Sequence, residues 1–122
     1  MTEFAHIGFA VKDLNKSKDF YVAALAPLGL VLQSEGESSI HIGKPDDNTM
    51  LWIHNRALAA TPVHISFEVQ TKEEVQKFFD AALAAGGKDN GAPGIRADYS
   101  TNYYAAFIID PDGHNVEVIC RN

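Results

Sequence analysis

Apolar and polar residues alternate along two short stretches, and each stretch opens on a histidine. In "HIGFAV", Ile7, Phe9 and Val11 alternate with His6, Gly8 and Ala10. In "HISFEV", Ile65, Phe67 and Val69 alternate with His64, Ser66 and Glu68. Period-two alternation predicts a strand with one apolar face and one small or polar face. The second stretch follows the first by 58 positions (64 − 6), and the offset persists without a gap through "KDFYVAALAPLG" and "QKFFDAALAAGG". Phe20 meets Phe78, Tyr21 meets Phe79, and Gly29 meets Gly87. A strand and then a helix, repeated at one offset, predict two copies of a unit about half the chain long.

The helices carry their own start and stop signals. Asp13 or Asn15 is the expected cap of the first; Thr71, with Glu74 three residues on, forms a capping-box pattern for the second. Val75, Phe78, Phe79, Ala82 and Leu83 recur at helical spacing. Pro27 and Gly29 end the first helix, Gly86 and Gly87 the second. Strands are predicted after the first helix over Leu30–Ser34, Ser39–Gly43 and Met50–His54, with the turn signal "GKPDDN" between the last two. After the second, the pattern predicts a loop over Gly87–Gly94 and a short strand over Ile95–Tyr99. Strands at Tyr103–Ile109 and Asn115–Cys120 follow, joined by the hairpin signal "DPDG". The expected fold class is α+β: one domain over residues 1–122, made of two tandem βαβββ modules (about 1–56 and 62–122) that curl into a cup-shaped mixed sheet. "NRALAATP" is the expected linker.

Composition narrows the function classes. Hydrophobic residues at 46% and charged residues at 21% are those of an ordinary globule. A net charge of −6 argues against nucleic acid or an anionic membrane surface as the main partner. Cys120 is the only cysteine, so no internal disulfide forms. The N-terminal stretch lacks a signal-peptide pattern and no apolar run approaches spanning length, so a cytoplasmic location is expected.

The polar faces carry the candidate chemistry. His6 and His64 lie opposite the apolar faces, at repeat-equivalent positions. On the last strand, Val116, Val118 and Cys120 take one face, which turns Glu117 toward the concave side with the two histidines. Two imidazoles and one carboxylate can hold a divalent cation and leave positions open for substrate; such a set suits iron, nickel or zinc, and manganese through the carboxylate. His6, His64 and Glu117 are thus the expected metal ligands. Tyr103 and Tyr104 are candidates to donate to a bound oxygen or stack on a ring. Arg96, Arg56 and Arg121 are candidates for a substrate carboxylate or phosphate, and Trp52 for the pocket wall. His41, His54 and His114 have no repeat partner and are expected at the surface or in loops; Cys120 is expected to be buried.

"HIGFAVKDLNKSKDFY", "HISFEV" and "DPDGHNVEV" together resemble the vicinal oxygen chelate superfamily, which includes glyoxalase I, type I extradiol dioxygenases, and the fosfomycin- and bleomycin-resistance proteins. The resemblance covers nearly the whole chain. It implies the paired-module fold, places metal ligands at His6, His64 and Glu117, and makes Glu117 and Tyr104 the candidate catalytic residues and Tyr103, Arg96 and Trp52 the candidate substrate contacts. It also implies a homodimer acting on a small molecule. The implied function is that of a divalent-metal-dependent lyase, isomerase or ring-cleaving oxygenase acting on an oxygen-chelating substrate. The alternative is a non-enzymatic ligand-sequestering protein of the bleomycin-resistance type. Bacterial glyoxalase I-like enzymes add a fourth, glutamate ligand on the last strand of the first module. Pairing "TMLWIH" with "NVEVIC" puts Leu51 there, and neither Leu51 nor the neighbouring Trp52 binds metal. Gly8 stands where fosfomycin enzymes carry a functional threonine, which argues against that activity.

Overall fold

A computed structural model describes Thr2, residues 4–57 and residues 61–122. Part of the expected linker, residues 58–60, lies outside the described residues. The elements run β1 (Ile7–Ala10), α1 (Leu14–Leu25), β2 (Val31–Glu35), β3 (Ser39–Gly43), β4 (Thr49–His54), β5 (His64–Glu68), α2 (Lys72–Ala84), β6 (Lys88–Ile95), β7 (Tyr104–Ile109) and β8 (Asn115–Cys120). They build two four-stranded sheets of identical topology, β1-β4-β3-β2 and β5-β8-β7-β6. In each, the outer pair β1–β4 or β5–β8 is parallel and the other pairs are antiparallel. The helix between the first two strands of each unit supplies the crossover that a parallel pair requires.

The helix caps are themselves repeat-equivalent. The Asp13 carboxylate accepts the Lys16 N–H at 3.0 Å, and the Thr71 hydroxyl accepts the Glu74 N–H at 3.2 Å. Each satisfies a donor that the first helical turn leaves free. Phe20 and Phe78, Ala24 and Ala82 are all buried, so the repeated helix face is the one that covers its sheet. Beneath lie Ile40, Ile42, Leu51 and Ile53 in the first half, and Ile108, Val116, Val118 and Cys120 in the second.

Two expectations change. The stretch read as a loop, Gly87–Gly94, is mostly strand β6, and Ile95–Tyr99 is mainly a turn. β6 sits at a sheet edge and its register shifts between Asp89 and Gly91 and again between Gly91 and Gly94. An edge with bulges tolerates the Gly and Pro that made this stretch look like loop. The second change is His114. It lies in the loop before β8, within the expectation, but is buried at 2% exposure rather than at the surface. Its Nδ1 accepts the Val63 N–H at 3.0 Å, so Nε2 carries the proton and donates to the Ala10 carbonyl at 2.9 Å. It ties the ends of β1 and β5 together.

The "DPDG" hairpin completes that tie. Gly113 takes the positive φ of 93° that the turn needs. The buried Asp110 carboxylate accepts the Tyr21 hydroxyl at 2.6 Å and the N–H groups of Asp112 and His114 at 2.9 and 2.8 Å. Asp112 in turn accepts the Lys12 N–H at 2.8 Å. A turn in the second half is therefore clasped by β1 and α1 of the first. Burial, and then the adjacent Asp110 charge, push the Tyr21 phenol well above its ordinary pKa, so it remains a donor.

Candidate functional site

The inner faces of the two sheets hold separate hollows. On the second sheet, β5 and β8 pair in parallel so that Ser66 lies beside Glu117, and β7 places Phe107 on the other side of Glu117. Strand alternation buries Val116 and Val118 beneath α2 and turns Glu117 the other way. His64, Tyr99, Tyr103, Phe107, Asn115 and Glu117 line the resulting hollow.

Glu117 is its focus. The carboxylate is only 5% exposed, and both oxygens are engaged. Oε1 lies 3.0 Å from His64 Nε2, and Oε2 accepts the Tyr103 hydroxyl at 2.6 Å. His64 is half exposed and stacks near-parallel to Phe107, with ring centroids 6.4 Å apart. Burial, followed by the hydrogen bond to Glu117, pushes the Tyr103 phenol up to about 12. Tyr103 thus stays protonated at neutral pH and holds the carboxylate in one orientation. Tyr99 packs edge-on to Tyr103 at 5.0 Å and forms the outer wall.

His6 stands elsewhere, on the inner face of the first sheet, in a hollow with Ser39, His41, Thr49, Trp52 and Arg56. Among the described residues no three His, Cys, Asp or Glu side chains gather around one point. A single chain therefore brings together His64 and Glu117 of the expected ligand set and leaves His6 apart. These two donors, an imidazole and a carboxylate on neighbouring strands, have the chemistry to hold a divalent cation as half of a site.

The other expected site residues divide. Tyr103 is in the hollow. Tyr104, the next residue, faces the opposite side, where its hydroxyl accepts from Gln76 of α2 at 2.9 Å and Lys72 lies over its ring. Consecutive strand residues cannot both face the hollow, which removes Tyr104 as a catalytic candidate in this chain. Arg96 is tied to the carbonyls of Gly94 and Ala92 and lies 5.4 Å from Phe107 on the same face of the sheet, beside the hollow but not among its lining residues. Arg121 is paired with Glu68. Trp52 belongs to the first sheet's hollow, not to the one around Glu117. The pairing also corrects the fourth position. Gly8 lies beside Trp52 as Ser66 lies beside Glu117, so Trp52, not Leu51, is the counterpart of Glu117; Leu51 is buried under the sheet. His41 and His54 lie partly buried on the first sheet rather than in loops. Phe107 was not anticipated, although the "DPDG" hairpin register pairs it with Glu117.

A model of the Glyoxalase/Bleomycin resistance protein/Dioxygenase superfamily matches residues 3–118. The chain is similar to the crystal structure of a glyoxalase/bleomycin resistance protein from Albidiferax ferrireducens T118, at 28% identity and a TM-score of 0.82 over 98% of both chains. A glyoxalase-related enzyme from Fulvimarina pelagi shares the fold at 19% identity and a TM-score of 0.75, over 98% of this chain and 88% of that one. So does a family enzyme from Burkholderia phytofirmans PsJN, at 16% identity and 0.74, over 97% and 98%. No functionally curated protein matches the sequence.

Proposed function

Because the chain belongs to the glyoxalase/bleomycin resistance protein/dioxygenase superfamily, we propose that it is a divalent-metal-dependent enzyme acting on a small, oxygen-chelating substrate, as a lyase, isomerase or ring-cleaving oxygenase. Its cation is held by His64 and Glu117 of one chain and His6 of a second copy. The observation that carries this reading is the state of Glu117. It is buried beside a hollow, oriented by Tyr103 through Oε2, and offers Oε1 to an imidazole 3.0 Å away. A carboxylate in such a position adds little to stability over an apolar residue of the same size, so its placement favours a ligand role.

His64 Nε2 and Glu117 Oε1 face one another at 3.0 Å, and a cation would take the place of that contact by accepting a lone pair from each. The bound cation supplies a Lewis acid that polarises substrate oxygens. Tyr103 keeps Glu117 aligned without surrendering its own proton. Iron, nickel, zinc and manganese all suit the donor set. The dimer follows from the donor count: each chain contributes two ligands at one hollow and the third, His6, at the other, and the open strand edges of each sheet call for cover.

The test is complementation. Protein purified without chelator is analysed for metal as wild type, as His6→Ala, as Glu117→Gln, and after the two variants are unfolded together and refolded as a mixture. Each variant alone should retain under about a tenth of the wild-type metal. In a mixed dimer one site combines both lesions and the other is intact, so the mixture should regain metal. A mixture as empty as its parents, or variants that hold as much metal as wild type, would sink the shared site. The second of these outcomes favours the sequestering alternative.

A further inference from the structure

We propose that Asn90 is a site of spontaneous deamidation in the folded chain, with water as co-reactant and the Asp89 carboxylate as the base that starts the reaction. This goes beyond the metal reading and does not depend on it.

Asn90–Gly91 is the only Asn-Gly pair in the chain. An asparagine amide is lost when the peptide nitrogen of the next residue attacks the side-chain carbonyl carbon. A side chain on that next residue crowds the nitrogen, and glycine has none. A regular strand suppresses the attack by holding its backbone in the ladder. At Asn90 the ladder lets go. β6 is an edge strand. Asp89 pairs with Ile108 and Gly91 with Phe107, so two steps along β6 face one step along β7, and Asn90 is the extra residue of a bulge. Asn90 is also exposed, so water has access to it.

The neighbouring groups suit each part of the reaction. The Gly91 N–H, which must give up its proton, donates to Asp89 Oδ1 at 2.8 Å. That is the reach a general base needs. Asn90 Nδ2, the nitrogen that leaves, donates to Asn115 Oδ1 at 3.3 Å, an acceptor that steadies positive charge as ammonia forms. A bond forms between Gly91 N and Asn90 Cγ, and the bond from Cγ to Nδ2 breaks. The proton taken by Asp89 passes to the leaving nitrogen, and ammonia departs from a cyclic imide. Water then opens the imide at either carbonyl, giving aspartate or isoaspartate; nothing is oxidised or reduced.

The chain's one Asp-Gly pair marks the contrast. Asp112–Gly113 could close the same imide by losing water, but the Gly113 N–H donates to the Asp110 backbone carbonyl at 3.1 Å, which is no base. The Asp112 carboxylate is itself held by the Lys12 N–H at 2.8 Å. Conversion at Asn90 would also reach the candidate site. Asn115 and Phe107 line the hollow around Glu117. Asn115 would face a carboxylate in place of an amide donor, and isoaspartate would lengthen the backbone beside Gly91, the partner of Phe107.

Wild type, Asp89→Ala and Asn90→Gln are held folded at neutral pH and body temperature. Free peptides of the Asp89–Arg96 stretch, "DNGAPGIR", with and without Asp89→Ala, are held beside them. Trypsin releases the same stretch from the protein, and mass spectrometry reads the gain of about one mass unit that goes with loss of the amide. Within the time the free peptide needs to convert, the folded wild type should convert at Asn90 too. Asp89→Ala should slow the folded chain about tenfold and leave the rate in the free peptide nearly unchanged. Asn90→Gln, whose imide would be a larger and slower ring, should show no gain. A folded chain that stays intact while the peptide converts, an Asp89→Ala effect of equal size in chain and peptide, or a gain that survives in Asn90→Gln would overturn the proposal. None of these readouts involves a metal, so this proposal and the metal reading can fail separately.

Discussion

On the second sheet Glu117 stands beside Ser66 and faces a hollow walled by phenols; on the first, the same strand position holds Trp52 beside Gly8. The scaffold around these positions is the same. Strand order, the parallel outer pair, the helix caps and the buried phenylalanines all repeat. What differs is carried by few residues on the face that no helix covers. Substitution there changes no core volume, so a duplicated fold can keep its packing while its two inner faces carry different chemistry, a buried carboxylate on one and an indole on the other. The halves also differ in how they hold one another. The second half presents the Asp110–His114 turn, and the first half supplies Tyr21, Lys12 and Ala10 to grip it.

Breaking that grip should give the largest effect on stability. Asp110→Ala leaves the Tyr21 hydroxyl and two peptide N–H groups without their acceptor, and a loss of about 3 kcal/mol is expected from urea denaturation. Tyr21→Phe, which makes the position like Phe79 in the other half, should lose about half as much. If Asp110→Ala moves stability by less than the scatter of the measurement, the turn is not what joins the halves.

A smaller effect separates the two inner faces. Gly8→Ala pushes a methyl group into the indole, so it should destabilise by about 1–2 kcal/mol and shift tryptophan emission. Ser66→Ala, at the repeat-equivalent position, already has its Cβ and should stay within about 0.5 kcal/mol. Equal costs at the two positions would mean that the indole does not rest on the strand.

The smallest effect is alkaline and is read at Tyr103 of the second half. The Tyr103 phenol is raised from 10.0 to about 12 by burial and by Glu117. The folded chain keeps a proton that the unfolded chain gives up as pH passes 10. The stability tied to it is whole below that pH and is lost as pH climbs toward 12. Tyr103→Phe should flatten this part of the stability curve and delete one late step from the tyrosinate absorbance titration. An unchanged titration would show that the phenol is not held by Glu117.

The features legible in the sequence were those written locally or twice. The second cap, the first cap as one of two candidates, both helix faces and seven of the eight strands follow from spacing within a few residues, and the repeat supports the opening strands and the helices from a second copy. β6 was hidden because an edge strand with two register shifts is composed like a loop. The Asp110–His114 clasp was legible as a turn, but not as a joint: its partners Ala10, Lys12 and Tyr21 are about ninety or more positions away. Tyr103 and Tyr104 were both candidates because neighbouring strand residues take opposite faces and the sequence does not say which of the two faces the hollow. A one-residue slip in aligning "TMLWIH" with "NVEVIC" set Leu51 in place of Trp52.

From sequence alone came the duplicated α+β architecture and the choice of His64 and Glu117 as inward-facing residues. Hydrophobic period and capping chemistry act over a few positions and leave a direct trace in the chain. Only the tertiary structure decided that His6 lies apart from them, that Trp52 rather than Leu51 answers Glu117, and that Arg56 sits over the indole. Those outcomes depend on strand register and on how one sheet is set against the other, and both are fixed by contacts between residues that the linear pattern does not connect.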